Sequence, residues 1–309
     1  MQCLECKAEF ESESSLHKHL KAHDLRIAEY YQKFHTRLDK FDGSLIKFKN
    51  KEQYFGTFFN SRENLRKWLE KTPVEEAKKF CIDLLTDRKN KKNLIWTPSQ
   101  VELRSLLIPP IQYFNKLFGN YYKLCEDLGF RNRFDKMVKF EIPFFTPNYV
   151  IYQDSREQLP LTFPTKKSEL KGLKIGDYAA SNQGIENRCY IERKSGNDAI
   201  ATLSGGYDRF CRELDRAVEA KAYVVVIVEE TLNSCLKFDK LPQFYHKNVR
   251  INPEYVFHNV REIIQKYPNV QFLFVDGRER AAFIIENIFD SNDLYKELDL
   301  QLAYDLGEL

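Results

Sequence analysis

Apolar positions change period several times along the 309 residues, and the changes divide the chain. From Asp24 to Asn93 the pattern is helical. Leu65, Trp68 and Leu69, then Ala77, Phe80, Cys81, Leu84 and Leu85 recur at three- and four-residue steps, and Pro73 separates two helices. Residues 97–130 predict three short helices. The first opens on a capping box, Thr97-Pro98-Ser99-Gln100, and runs to about Leu107; Pro109-Pro110 start the second, which ends near Gly119; Asn120 caps the third, which Gly129 closes. Arg131 to Pro147 reads as a linker broken by Pro143 and Pro147, which sets a boundary near residue 145.

Beyond that boundary the period becomes that of strands. A first strand is expected at about 149–154, a hairpin from Gly176 to Lys194 around Asn182-Gln183-Gly184, and a buried strand at Val270–Val275. After the last strand come an Asp276-Gly277 turn, a helix from about Arg280 to Phe289 and a closing helix or tail. On the second strand of the hairpin, side chains alternate faces. Glu192 and Lys194 therefore share one face and Arg193 points to the other. If Asp177 ends the neighbouring strand, its carboxylate joins them. Two acids can hold a divalent cation, and a lysine beside them can orient or help deprotonate a water for attack on a phosphate.

Composition narrows the picture. Residues 1–148 carry 27 Lys and Arg against 20 Asp and Glu, whereas residues 149–309 carry 21 against 25. A basic front half suits contact with a polyanion, and an acidic back half suits a metal site. Seven cysteines, only two of them at ligand spacing, argue for a reducing compartment rather than a disulfide framework. No apolar run has the length of a membrane span, and the N-terminus carries cysteines and charges where a signal peptide needs an apolar stretch. The expected location is intracellular, in a bacterial or phage-infected cytoplasm or a nucleus. Frequent Lys, Asn, Phe, Tyr and Ile suggest an AT-rich genome such as that of a phage or mobile element.

Cys3, Cys6, His19 and His23 give Cys-x2-Cys-x12-His-x3-His, and a helix puts both imidazoles on one face opposite the thiolates. With Phe10 and Leu16 as its minimal core, the segment matches the Cys2His2 zinc finger, implying a ββα unit over 1–24 held by structural Zn2+. Its base-facing positions fall on Ser12, Ser15 and Lys18, which are poor bidentate readers, so phosphate contact or docking weighs as heavily as base reading.

The order Gly176-Asp177, Glu192-Arg193-Lys194, three residues and Asp198 resembles the signature of the XPF family of structure-selective DNA nucleases, whose core is restriction-endonuclease-like. Ile151 to Glu157 looks like that family's first strand and its Asp-x-Arg-Glu; Leu203–Ala220 and Tyr223–Glu230 look like its long helix and next strand. The resemblance spans roughly 149–290. It implies that Asp177 and Glu192 bind Mg2+ or Mn2+, joined by the Arg193 carbonyl, and that Lys194 acts on the water. Asp154 and Glu157 would add a carboxylate, and Arg156 would hold the scissile phosphate. Arg193 is expected to pair with a buried acid, and Asp198 to cap a helix.

Residues 97–130, with Thr97-Pro98, Leu103, Ile108-Pro109, Phe118 to Tyr121 and Leu128 to Phe130, resemble the small DNA-binding repeat attached to homing endonucleases. The expected division is a finger (1–24), a helical region (25–93), a helix-turn-helix-like repeat (94–133) and an α/β nuclease domain with a mixed sheet (146–309). Lys18, Lys91 and Lys92 of an exposed basic linker, and Tyr113, Lys116, Tyr121 and Lys123 of the repeat are the candidate DNA contacts. The resulting expectation is a metal-dependent endonuclease for double-stranded DNA, site-directed in the homing manner. The alternatives are a nuclease for branched or flapped DNA and a non-cleaving DNA-binding scaffold. The tandem helix-hairpin-helix of many XPF relatives is not found. A homodimer through the nuclease core is implied by the resemblance; neither a membrane nor a small-molecule substrate is expected.

Overall fold

Tyr223–Val228 and Val270–Phe274 bury every side chain, as strands covered on both faces must. The computed structural model that contains them describes residues 1–48, 51–134, 148–182, 185–244, 251–291 and 293–309. They are β5 and β6 of a six-stranded mixed sheet with β1 (Val150–Asp154), β2 (Ser168–Lys171), β3 (Tyr178–Asn182) and β4 (Ile185–Lys194), in the order β2-β1-β3-β4-β5-β6. β3 pairs antiparallel with β1 and β4, while β4, β5 and β6 run parallel.

Alternation along β5 feeds two cores. Val225 and Ile227 face one with α13 (Gly277–Asp290) and α15 (Leu300–Asp305). Val224, Val226 and Val228 face the other with α10 (Tyr207–Glu219) and α12 (Pro253–Lys266). The remaining helices after β4 are α9 (Gly196–Thr202), α11 (Leu232–Cys235) and α14 (Leu294–Glu297). The helix expected from Leu203 to Ala220 is α10, which starts four residues later than expected because a turn after α9 comes first. A Cβ on Gly206 would lie 3.1 Å from the Thr202 Cα and 3.2 Å from its carbonyl, so the chain turns tightly there and restarts at Tyr207. β2 escaped the sequence pattern because it is short, mostly exposed and at the sheet's edge. Gln183 and Gly184 of the expected turn, and the boundary near 145, lie outside the described residues.

The described chain divides into two compact units, Met1–Phe80 with Leu107–Pro109, and Cys81–Leu106 with Pro110–Leu309. In the first, α1 (Glu13–His19) and a 3-10 turn (Leu20–His23) follow a minimal bridge between Gln2 and Glu9. α2 (Ile27–Phe34) packs against them: Tyr30 joins Cys3, Leu16 and Leu20, and its hydroxyl accepts from the Leu4 amide at 2.8 Å. α3 (Lys51–Gly56) brings Lys51 to Glu13 at 3.0 Å. α4 (Arg62–Lys71) buries Leu65, Trp68 and Leu69, and α5 (Val74–Lys92) begins after Pro73.

Asp87–Lys92 ends α5 rather than forming a linker. No Gly or Pro interrupts it, Lys91 pairs with Asp87 one turn back at 3.0 Å, and Asn93 stops it at φ +50°. Next, α6 (Gln100–Ser105) is capped by Ser99 with Glu102, two residues later than the expected box, because the Thr97 hydroxyl is engaged by Asn132 at 2.6 Å. α7 (Ile111–Phe118) ends at Gly119, and Asn120 caps α8 (Tyr121–Asp127). These three helices belong to the unit that holds the sheet. The Gln100 amide donates to Asp299 Oδ2 at 2.6 Å and Arg104 grips both oxygens of Asp305 at 2.6 Å. Arg133 donates to the carbonyls of Ile264, Pro268 and Val270. No described helix is long and apolar enough to cross a membrane.

Candidate active site

The carboxyl-terminal end of β4 carries Glu192, Arg193 and Lys194, and its parallel register opposes them to Val226, Ile227 and Val228 of β5. Glu192 and Lys194 meet as the alternation requires, with Nζ 2.8 Å from Oε1 and the ammonium 5.3 Å above the Phe210 ring. Asp177 stands immediately before β3. Its amide donates to the Ile191 carbonyl at 2.7 Å and its carbonyl accepts from the Asp154 amide at 2.8 Å, so both neighbouring strands hold its backbone. Gly176 permits this approach. It sits at φ +63°, and a Cβ there would lie 2.7 Å from the Ile191 carbonyl oxygen. Gly176→Ala is therefore expected to cost at least about 2 kcal/mol and to displace Asp177, which a denaturant midpoint read beside metal affinity would register.

Asp177 Oδ2 accepts the Arg193 amide at 2.7 Å. Among the described residues no donor reaches Asp177 Oδ1 or Glu192 Oε2. Burial, and then the charge of Glu192, push the Asp177 carboxyl up to about 7. Arg193, behind this pair, is held by two acids. Its NH2 lies 2.9 Å from Glu157 Oε1 and its NH1 2.9 Å from Glu229 Oε1, with all three side chains almost wholly buried. Burial works against the guanidinium charge, but the two carboxylates outweigh it and hold its pKa above the usual range.

Asp154 and Arg156 pair with each other. Arg156 Nε reaches Asp154 Oδ2 at 2.9 Å and its NH2 bonds the same oxygen and the Leu173 carbonyl. Burial alone would raise Asp154, yet these bonds keep its carboxyl below the usual range. Arg156 remains largely exposed, and the charges of Asp177 and Glu192 add to Asp154 in raising its pKa. Asp198 is exposed in the first turn of α9 and accepts from the Ser195 hydroxyl at 2.6 Å, while Ser195 itself is the cap. Glu157 thus braces Arg193, Asp154 holds Arg156, and Asp198 stabilises a helix start. Glu229 was missed; the signal was the charged pair Glu229-Glu230 closing an otherwise apolar strand.

Of the candidate DNA contacts, Lys18, Lys91, Lys92 and Lys116 are exposed. Lys123 is exposed but paired with Asp127 at 3.2 Å and Glu126 at 3.4 Å. Tyr113 is half-buried, and burial raises its hydroxyl pKa. Tyr121 is fully buried with its hydroxyl donating to the Pro98 carbonyl at 2.9 Å, so that ring belongs to the core and offers DNA no surface. Separately, ligand atoms of Cys3, Cys6, His19 and His23 all lie within 4.8 Å of one another, the one such group of three or more metal-ligating side chains among the described residues.

An acid pair and a lysine at the end of a parallel strand can hold a divalent cation and a water, the two things that hydrolysis of a phosphate ester needs. Residues 153–288 match the ERCC4 domain. The match runs from β1 into α13 and includes every catalytic candidate named above. Solved structures similar to the chain include XPF from Aeropyrum pernix, at 21% identity and a TM-score of 0.35 over 48% of this chain and 68% of that one. Another is the same organism's XPF in complex with DNA, at 19% identity and a TM-score of 0.33 over 46% and 64%. No curated protein matches the chain.

Proposed function

We propose that the ERCC4 domain hydrolyses phosphodiester bonds in DNA with a divalent cation, and that its substrate is branched or flapped rather than a chosen duplex sequence. The observation that carries the reading is the open pair of carboxylate oxygens, Asp177 Oδ1 and Glu192 Oε2, beside Lys194 Nζ. An acid pushed up by burial and by a second acid is where a cation relieves the repulsion. Hard oxygen donors of this kind suit Mg2+ or Mn2+. Such a cation, when bound, would lower the pKa of a bound water and stabilise charge on the phosphate. Lys194 would orient a water for attack, and Arg156, exposed and adjacent in charge, would neutralise the phosphate.

The site-directed reading rested on a targeting repeat set apart from the nuclease. α6–α8 share one compact unit with the sheet, and Tyr121 is spent on its core, which favours the branched substrate. The Cys3, Cys6, His19 and His23 set has two thiolates and two imidazoles close enough for one tetrahedral ion, so Zn2+ is the proposed occupant. A homodimer is also proposed.

Cleavage of a supercoiled plasmid and of a synthetic fork with Mg2+ or Mn2+ tests the reading, with Lys194→Ala as control. The fork is expected to be cut and Lys194→Ala to lose on the order of a hundredfold. Tight fork binding by the wild type without cutting would transfer the assignment to a DNA-binding scaffold; sequence-specific plasmid cutting would restore the homing reading.

A further inference from the structure

The Glu229 side chain bonds neither the open oxygens nor the Lys194 ammonium, yet it closes a ring of charge behind them. Its amide donates to the Lys194 carbonyl at 2.9 Å, which extends the parallel register one residue beyond β5 and fixes Glu229 beside Arg193. From there its Oε1 pairs with Arg193 NH1 at 2.9 Å. Arg193 turns its other edge to Glu157, with NH2 at 2.9 Å from Oε1 and Nε at 3.3 Å from Oε2. Glu157 Oε1 in turn accepts the Leu159 amide at 3.0 Å. The Leu159 carbonyl accepts from Arg278 NH2 at 2.5 Å, and Arg278 NH1 comes back to Glu229 Oε1 at 4.0 Å. The ring therefore runs Glu229, Arg193, Glu157, Leu159, Arg278 and back.

Two acids and two arginines make it neutral as a whole, which is how buried charges are tolerated. It draws on the turn after β1, the end of β4, the residue after β5 and the start of α13. A carboxylate on each edge of the guanidinium therefore holds the Arg193 side chain in place. The Arg193 amide is the donor to Asp177 Oδ2, and its neighbours in the chain are Glu192 and Lys194. Fixing this side chain therefore fixes the peptide on which the acid pair is arranged.

We propose that Glu229 is a positioning residue for the metal site, acting through Arg193, with Arg278 as its outer support. This rests on the reading of Asp177 and Glu192 as metal ligands. Residues that orient ligands without touching the ion commonly alter its affinity by ten- to a hundredfold. Glu229→Gln keeps the shape of the side chain and removes its charge. Arg193 then keeps one carboxylate, and its peptide gains freedom.

Mn2+ titrations by calorimetry on the wild type, Asp177→Ala and Glu229→Gln, each with a thermal melt, test this. Glu229→Gln is expected to weaken the Asp177-dependent Mn2+ site roughly tenfold while melting close to the wild type. Unchanged Mn2+ affinity would overturn the proposal, whatever happened to the melting temperature. Should Glu229→Gln fail to fold, Arg278→Lys replaces it. That variant keeps the charge but not the paired donors, and a severalfold loss of affinity supports the role while none sinks it. Failure of the underlying reading looks different, because the wild type would then bind Mn2+ no better than Asp177→Ala.

Discussion

Asp177→Asn is expected to abolish metal-dependent cleavage and, in the absence of metal, to make the protein more stable. The two effects have one cause. Asp177 is buried next to Glu192 and its carboxyl is pushed from the ordinary 3.8 up to about 7. A raised carboxyl pKa means that the folded state favours the protonated form. Below about pH 4 the group is neutral in both states and costs nothing. Between about 4 and 7 the unfolded chain ionises first, and the metal-free protein loses stability as pH rises; above 7 the full cost is present. Asparagine removes the charge while its side-chain oxygen can still accept the Arg193 amide. The variant's advantage should therefore be absent near pH 4 and reach on the order of 2 kcal/mol at pH 8. Saturating Mn2+ reverses the order, since only the wild type gains from binding. Denaturant titrations at pH 4 and 8 with and without Mn2+ check all of this. A variant no more stable than the wild type at pH 8 without metal would mean that Asp177 carries no repulsion for a cation to relieve. Cleavage should fall by at least on the order of a hundredfold.

Stripping metal from the N-terminal segment should have the largest structural effect. Cys3, Leu16 and Leu20, with Phe10, are too few apolar groups to fold this segment alone, and binding of Zn2+ to such peptides supplies on the order of 10 kcal/mol or more. Tyr30 fills that small core from α2, and the Tyr31 hydroxyl donates to Glu13 on α1 at 3.0 Å. Chelation, or His19→Ala, is therefore expected to remove hydrogen-exchange protection from residues 3–23 and also from α2. The melting of the nuclease sheet should be unaffected. One zinc per chain by atomic absorption is the companion result. Protection of 3–23 that survives chelation would show that the four ligands are ordinary side chains in a metal-independent fold.

The parts of this molecule that were legible beforehand are those in which period or covalent geometry leaves little choice. Pleating alone places Glu192 with Lys194 and turns Arg193 away, and the ion pairs of all three follow that rule. Pro73, Gly119 and Asn120 punctuate helices where their backbones demand it. What escaped depends on partners distant in sequence. The burial of Tyr121 is set by the packing of α6–α8, and nothing local distinguishes it from an exposed ring on a recognition helix. Thr97 lost the capping position to Ser99 because Asn132 engages its hydroxyl. That Arg193 pairs with a buried acid follows from its face of the strand, but which acids, Glu157 and Glu229, and the link between Asp154 and Arg156 depend on the fold, since the sequence supplies the charges but not their partners.

In β4 the working side chains and their support occupy consecutive positions of one pleated strand. A strand of this kind acts as a partition, with every odd residue delivered to one compartment and every even residue to the other. A slip of a single residue against β5 would not blur the site gradually. It would carry Arg193 to the side of Asp177 and draw Glu192 and Lys194 into the ring of buried acids, exchanging the two positions at once. The parallel pairing with β5, continued through the Glu229 amide, is thus a proofreading device for the fold. It admits one alignment in which Glu192 and Lys194 lie beside Asp177, and every odd displacement from it would break up the proposed site.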